Sequence, residues 1–299
     1  MVRGSAAAAL LIDLVFGEPP APIHPVRCMG WGIDLARRAR RGSDPLASVI
    51  GGSVLALGGV GFVGLAALAL QRGLVRRSAS AMAWGAALKP ALALRALLAA
   101  GVEVEGALRR DDLEAARHAL GWHLVSRDVS DLSASEVAGA AIESLAENLS
   151  DGFVAPLLAF RVAGLPAAYG YRFVNTCDAM LGYRTRELEW FGKPSARLDD
   201  ALNWGPARIS AALIGAAADL GGMDGGAALR VARRDGRSCA SPNAGWPMAA
   251  MAGALEVRLT KRGAYELNGN DRAPDAGDLA RARGIVLLAA LLATLMVEL

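Results

Sequence analysis

Aromatic residues are only 5% of this 299-residue chain and charged residues only 20%. Small aliphatic residues fill the gap, and the hydrophobic share reaches 54%. A soluble domain can also be alanine-rich, so run length says more about the class than composition does. Cysteine is scarce too. Cys28, Cys177 and Cys239 are isolated, and no CxxC spacing exists, which excludes a zinc cluster and a disulfide framework. They read as small buried residues. His118 and His123 are five apart, not the i,i+4 spacing of a helical zinc site, and read as surface or packing residues. The net charge, +3, is spread along the chain, and its densest basic patch is RRARR, Arg37 to Arg41. No groove-reading or aromatic motif accompanies that patch, so it reads as a juxtamembrane anchor and not as a nucleic-acid footprint. There is no P-loop: the nearest stretch, Gly192-Lys193-Pro194, has a proline where the motif needs a free backbone N–H. No GxGxxG follows a strand, and GGMDGG (221–226) reads as a flexible loop. A nucleotide is therefore held, if at all, without the common phosphate loops.

What the chain does have is long apolar runs. Val49 to Leu70 carries no charge, and as a helix it spans the roughly 30 Å hydrocarbon core. Its glycines disfavour an isolated soluble helix but suit close packing between membrane helices. Apolar helices are expected at about 5–16, 49–70, 80–101, 152–169, 206–222 and 284–297. Only the second is a clean span; the last is short for one. The others carry Lys89, Arg95, Arg161, Arg208 and Asp219, and ionisable residues at membrane depth face a bundle interior or a polar cavity. The N-terminus resembles a signal peptide, but Asp13 interrupts it and no A-x-A site follows, so a retained first helix is expected. Arginines flank both ends of 49–70 and give no orientation. The fold class is all-α, a polytopic integral membrane helical bundle, with amphipathic and interfacial helices and polar loops forming a cytoplasm-facing site. It is expected to be a single membrane-embedded enzyme domain, residues 1–299. A soluble alanine-rich bundle is the runner-up.

Polar groups collect in a few places. Residues 103–125 read as an amphipathic helix opened by acids. Ser133-x-x-Glu136 is a capping box, with a helix expected through 148. On it Glu143 and Glu147 are i,i+4, a repulsive pair unless a cation or cationic ligand sits between them; Asn148 and Asp151 extend the group. Arg172, Asn175 and Asp178 form a drifting helical stripe, either a structural network or part of a site. In ARLDDALNWGPAR (196–208), Asp199, Asp200 and Asn203 lie between Arg197 and Arg208. Mg²⁺ takes carboxylate oxygens and keeps phosphate ligands, and Arg binds phosphate bidentately, so this is a Mg²⁺–phosphate site or a local salt-bridge cluster opening the helix at Pro206. Two proline-bearing loops, DLVFGEPPAPIHPVR (13–27, with His24 and Arg27) and SPNAGWP (241–247, with Ser241 and Asn243), are turns or substrate loops.

In order along the chain, five of these pieces resemble the adenosylcobinamide-phosphate synthase family of cobalamin biosynthesis, the CbiB/CobD type. They are D-x-x-x-G-E-P…H-P-V-R (Asp13 to Arg27), E-S-x-x-E-N-x-x-D-G-x-x-A-P (Glu143 to Pro156), Y-R-x-x-N-T-x-D-A-M-x-G-Y (Tyr171 to Tyr183), A-R-x-D-D-x-x-N-x-x-P-A-R (Ala196 to Arg208) and S-P-N-A-G-W-P (Ser241 to Pro247). Three places depart from the family pattern: Met248 stands where Glu is common, Leu259-Thr260-Lys261 where Leu-Gly-Gly is common, and Ser126-Arg127-Asp128 where Gly-Arg-Asp is common.

The resemblance implies an enzyme of the bacterial inner membrane, multi-pass, with its site on the cytoplasmic side. The implied reaction is ATP-dependent amide formation between adenosylcobyric acid and aminopropanol phosphate or ethanolamine phosphate. Mg²⁺ is the implied cofactor, ATP the co-substrate and the corrinoid the substrate. A carboxylate is a poor electrophile; phosphorylation supplies a leaving group and calls for metal ions and cationic groups around the transferred phosphoryl. On this basis Asp178, Asp199 and Asp200 are expected at the metal. Arg27, Arg172, Arg197 and Arg208 are expected at phosphates, with His24, Asn148, Asn175, Asn203, Ser241 and Asn243 binding substrate. Glu143, Glu147 and Asp151 are the catalytic candidates, Glu143 or Glu147 taking the proton of the attacking ammonium or binding a second metal ion. The expected partners are these substrates and the lipid bilayer, with a second copy or neighbouring pathway enzymes, and no nucleic acid. The alternatives are a Mg²⁺-dependent membrane phosphotransferase or prenyltransferase, and a non-catalytic membrane sensor of the same fold.

Overall fold

The computed structural model describes residues 2–40, 44–183 and 185–299; Arg41 of the basic patch lies outside the described residues. Helices α1 (Ser5–Phe16), α2 (Pro25–Ala39), α3 (Pro45–Arg76), α4 (Ala81–Leu88), α5 (Leu94–Arg109), α6 (Leu113–His123) and α7 (Ala134–Leu149) are followed by α8 (Ala155–Leu181), α9 (Glu189–Leu202), α10 (Trp204–Leu220), α11 (Gly225–Asp235) and α12 (Gly245–Leu255). A hairpin of β1 (Leu259–Lys261) and β2 (Tyr265–Leu267) then precedes α13 (Ala276–Glu298). Three helical runs are long and apolar enough to cross a membrane: Pro45–Arg76, Ala134–Leu181 and Ala276–Glu298. The protein is an all-α membrane bundle. The final helix gains the length it lacked in the sequence reading by starting at Ala276.

The chain forms two compact units. Unit 1 comprises Met1–Ala93, Ala155–Asn203 and Val297–Leu299; unit 2 comprises Leu94–Val154 and Trp204–Met296. In unit 1, α3 packs on α8 and α9, α1 on α4, and α2 on α8. The glycines of α3 make this possible: a side chain at Gly52 would overlap the backbone carbonyl of Phe191, and one at Gly59 the ring of Phe173. The opposite side of α3 exposes Ile50, Val54, Leu57, Phe62 and Leu65, as a lipid-facing helix does. In unit 2, α7 is packed on by α5, α6, α12 and β1. Its capping box forms as expected, with Ser133 capping the helix and Glu136 reaching back to the Ser133 N–H at 2.9 Å. Its Ala/Gly-rich sequence lets neighbours close in on nearly every side, and α12 is likewise buried along its length.

Three expected helices are interrupted. The run 80–101 breaks into α4, a 3₁₀ turn at Lys89–Ala91 and α5, because Pro90 supplies no N–H and disfavours a helical residue before it. The run 103–125 breaks at Asp111, whose φ is 56°, and restarts with Asp112 capping α6. The run 152–169 begins in a π-turn, Ser150–Val154, and continues to Leu181, but with a break at Ala163–Gly164 ahead of Pro166. Gly164 has φ 72°, and the Leu165 N–H freed there donates to Gln71 Oε1 of α3 at 2.9 Å. GGMDGG is not a mere flexible loop: Asp224 accepts from the Ala227 N–H and caps α11.

Candidate functional site

In unit 1, α8 and α9 bring the predicted acid and amide residues together. Asn175 donates to Asp199 Oδ1 at 3.3 Å, and Asn203 donates to Asp199 Oδ2 at 2.9 Å. Arg172 donates to Asn175 Oδ1 at 3.1 Å and the Tyr171 hydroxyl to Asn203 Oδ1 at 2.8 Å. Arginine can only donate, so the Asn175 amide nitrogen must face Asp199. Gly182, just past α8, leaves room beside Asp178 Oδ1, where any side chain would collide. Asp199 is 8% exposed. Burial, with the charges of Asp178 and Asp200 beside it, pushes its carboxyl up to about 7 despite both amide donors. Three carboxylates are thus gathered here. Asp178 and Asp200 are half-buried. Arg197 stands 3.9 Å from Asp200 on a largely exposed side chain, an ion pair of little energy.

Mg²⁺ takes oxygen ligands, holds few protein carboxylates and keeps water and phosphate. Asp178 and Asp200 suit it, with Asp199 behind them adding charge. Among the described residues no group of three His, Cys, Asp or Glu side chains is arranged to hold a metal ion by itself.

The 13–27 loop has a different organisation. Lys89 is buried between Asp13 (3.2 Å) and Glu18 (2.7 Å), and His24 Nε2 meets Glu18 at 2.8 Å. His24 Nδ1 accepts from the Val26 N–H at 3.2 Å, so the ring proton sits on Nε2 and donates to Glu18. Burial works against Glu18 ionisation, but the His24 and Lys89 hydrogen bonds outweigh it and hold the carboxyl below its usual range. These bonds tie α1, α2 and the Lys89 turn together. Arg27 is exposed on α2.

Unit 2 holds the remaining candidates. Glu143 is 6% exposed, and its Oε1 accepts no hydrogen bond from a described residue. The Tyr265 hydroxyl of β2 is set beside this carboxylate, and Arg127, Lys261 and Glu147 lie within electrostatic reach. Tyr265 is pushed up by burial and by the charge of Glu143. Cys239, pushed up to about 12 by burial first, also feels Glu143 and Glu147. Asn148 is exposed and donates back to the Ser144 carbonyl at 2.9 Å, along its own helix. Asp151 is half-buried in the π-turn.

Arg208 lies between two indoles, 4.8 Å from the Trp204 ring centre and 4.7 Å from that of Trp246. It donates to Asn243 Oδ1 at 2.6 Å and to the Pro242 carbonyl at 3.3 Å. Ser241 Oγ accepts from the Asn243 and Ala244 N–H groups, which folds the loop. Burial, and then the charge of nearby Arg237, lower the Arg208 pKa. ARLDDALNWGPAR is divided between the two units, the boundary falling between Asn203 and Trp204, and within unit 2 Arg208 is bonded to the SPN loop.

The sequence profile of the CobD/Cbib protein family matches residues 6–291. The chain belongs to this family. It is 40% identical to "Probable cobalamin biosynthesis protein CobD" of Methanothrix thermoacetophila over 96% of this chain and 94% of that protein. It is also 40% identical to cobalamin biosynthesis protein CobD of Dehalococcoides mccartyi (89% and 86% covered) and 39% identical to that of Klebsiella pneumoniae (84% and 80%). No solved structure matches. Two of the three departures from the CobD/CbiB pattern meet at the hairpin: the Tyr265 hydroxyl donates to Met248 Sδ at 3.8 Å, and Lys261 pairs across the hairpin with Tyr265.

Sequence reasoning missed Tyr171, Arg237, Tyr265, Lys261 and the Trp204–Arg208–Trp246 stack. A hairpin signal was available: LTKRGAYEL places a glycine between two short β-prone runs, and Gly263 has φ 70°. Arg237 carries no signal in the sequence, since only the fold brings it to Arg208.

Proposed function

We propose that this protein is an ATP-dependent amide ligase that joins adenosylcobyric acid to aminopropanol phosphate or ethanolamine phosphate, giving adenosylcobinamide phosphate. The names of its relatives support a role in cobalamin biosynthesis. What carries the finer reading is the acid–amide network of α8 and α9, whose gathered carboxylates suit a divalent cation and hence a phosphoryl donor. Asp178 and Asp200 hold Mg²⁺, with Asp199 reinforcing their charge. Bound Mg²⁺ neutralises phosphate oxygens. Arg172 orients Asn175 and, with Arg197, adds positive charge for phosphate. In unit 2, Arg208 and Arg237 bind a phosphate of a substrate, and Glu143 takes the proton of the attacking ammonium. The protein resides in the bacterial inner membrane with its site on the cytoplasmic side, where ATP is available.

The test is an assay of membranes containing the protein with adenosylcobyric acid, ATP, Mg²⁺ and each amine phosphate, the amide being detected by mass. Product forms only when ATP and Mg²⁺ are both present. Asp200→Ala abolishes it while the protein still inserts into the membrane; full activity in that variant removes the metal assignment. A deletion strain with an unchanged corrinoid pool refutes the ligase reading in favour of a phosphotransferase or sensor.

A further inference from the structure

Arg161 is an ionisable residue in an apolar run, and the proposed chemistry gives it no task. It lies in α8 between Phe160 and Val162, about one turn before the break at Gly164. Phe160 is buried, whereas Val162 is 84% exposed, as a side chain facing lipid is. A guanidinium beside such a face is costly unless it reaches water, a headgroup or an anion. Among the described residues Arg161 forms no ion pair or hydrogen bond. It opens on a cavity of about 240 Å³.

Every residue lining this cavity belongs to unit 1. Arg3, just before α1, is the second cation there, and it too has no ion pair or hydrogen bond among the described residues. The one carboxylate of the cavity, Glu298 at the end of α13, is engaged elsewhere. Its Oε2 accepts from the Gly4 N–H at 2.6 Å, and its Oε1 from the Ala6 and Ala7 N–H groups at 2.7 and 3.2 Å. Glu298 thus satisfies the free N–H groups of the α1 N-terminus and balances its dipole. The helix end needs no further anion, but the two guanidinium groups have no counter-ion in contact. Val2 and Leu299, both exposed, give the cavity an apolar rim. The bond from the Leu165 N–H to Gln71 fixes this part of α8 near the C-terminal end of α3, where Arg72, Arg76 and Arg77 are exposed. Gly52, where α9 packs, is roughly 28 Å away along α3, about one hydrocarbon thickness. The cavity is therefore remote from the acid–amide network of α8 and α9.

We propose that this cavity binds the phosphate of an anionic phospholipid, with Arg3 and Arg161 on its oxygens and the acyl chains against the lipid face of α8. Guanidinium groups present planar, paired donors that match phosphate oxygens, and basic pockets among membrane helices take such headgroups. A soluble phosphate ester carries the same anion, but it makes no use of the apolar rim or of Val162. A zwitterionic lipid brings its own cation toward the two arginines and is disfavoured. The bound lipid belongs to the leaflet opposite the acid–amide network.

The test uses the full-length protein, stripped of lipid in a neutral detergent, with native mass spectrometry reading the dissociation constant of the first bound molecule. The probes are dioleoyl phosphatidylglycerol, dioleoyl phosphatidylcholine and glycerol 3-phosphate. Phosphatidylglycerol is expected to bind wild type at least about fivefold more tightly than phosphatidylcholine. Arg161→Gln should weaken phosphatidylglycerol binding about fivefold, the weight of one cation beside an anionic headgroup, and adding Arg3→Gln should bring the loss to about twentyfold. Arg77→Gln, at the same end of α3 but outside the cavity, is screened by solvent and should change it less than about twofold. Equal affinity for the two lipids, undiminished affinity in the double variant, or a loss in Arg77→Gln as large as that in Arg161→Gln overturns the proposal. Glycerol 3-phosphate bound as tightly as phosphatidylglycerol assigns the cavity to a soluble phosphate and overturns the lipid. If Arg3→Gln is recovered poorly, Arg161→Gln alone decides. A lipid-free melting temperature equal to that of wild type shows that its loss is one of binding and not of folding.

Discussion

Replacing Asp199 by asparagine should stabilise the metal-free protein while removing its activity. Burial and the neighbouring acids raise the Asp199 carboxyl from an ordinary 3.8 to about 7. At about 1.4 kcal/mol per pH unit this corresponds to about 4 kcal/mol of unfavourable free energy for the ionised, folded form. The sign follows from proton binding. Between pH 4 and 7 the folded protein holds a proton that the unfolded chain has lost, so stability falls as pH rises through that window, and the loss is complete above it. The substituted amide has no charge to bury. It can place its oxygen toward the Asn175 amide, which Arg172 holds in one orientation, and its nitrogen toward Asn203. Asn203 then turns over, and the Tyr171 hydroxyl accepts where it had donated. Asp199→Asn should therefore gain about 2–4 kcal/mol over wild type at pH 8 without Mg²⁺, and almost nothing at pH 4. Saturating Mg²⁺ should stabilise wild type at pH 8 and release protons at pH 7, and both effects should be smaller in the variant, which keeps Asp178 and Asp200 but loses the reinforcing charge. Melting of detergent-solubilised protein at the two pH values, with and without Mg²⁺, measures all of this. A variant destabilised equally at both pH values refutes the buried-charge account, and a wild type indifferent to Mg²⁺ refutes the metal assignment.

Gly59→Ala should destabilise the protein by about 1–3 kcal/mol, because its methyl group overlaps the Phe173 ring. Gly58→Ala, which faces open space, should not; a thermal melt of each compares them. Arg208→Lys loses the planar stack on Trp204 and Trp246 and the fork to Asn243 and Pro242. KM for the amine phosphate should rise about tenfold, or about 1.4 kcal/mol, with kcat little changed; a fall in kcat at constant KM refutes a binding role.

The long apolar runs and the capping box were legible because each is a local property: run length for α3, a Ser–Glu pair for α7. The interruptions were harder to place because they depend on single residues inside apolar stretches, such as Pro90 and Gly164. Pro166 was visible, yet the break falls just before it, at Ala163–Gly164, where Gln71 from another helix satisfies the freed N–H. The unit 1 site was legible as two stripes, 172–178 and 199–203, since helical spacing sets which residues share a side. That the stripes share Asp199 through two amides was not, because it depends on how α8 meets α9. That Arg208 bonds Asn243 and lies between Trp204 and Trp246 was hidden for the same reason, since Asn243 and Trp246 are distant in sequence.

The different surroundings of the acids within each unit have a physical logic under the proposed chemistry. Activating a carboxylate by phosphorylation and deprotonating an ammonium make opposite electrostatic demands. The first needs strong positive charge, and a divalent cation held by Asp178 and Asp200 supplies it. A carboxylate that ligates that cation loses basicity, since an opposite charge within a few ångströms favours the ionised form. The proton acceptor is therefore a different carboxylate from the ligands. Glu143 has its own environment: a low-polarity wall of α7 and α12, a neutral tyrosine, and cations from Lys261 and Arg127 that act without contact. An aspartate fixed by two amides beside two other carboxylates is in turn poorly placed to act alone as that acceptor.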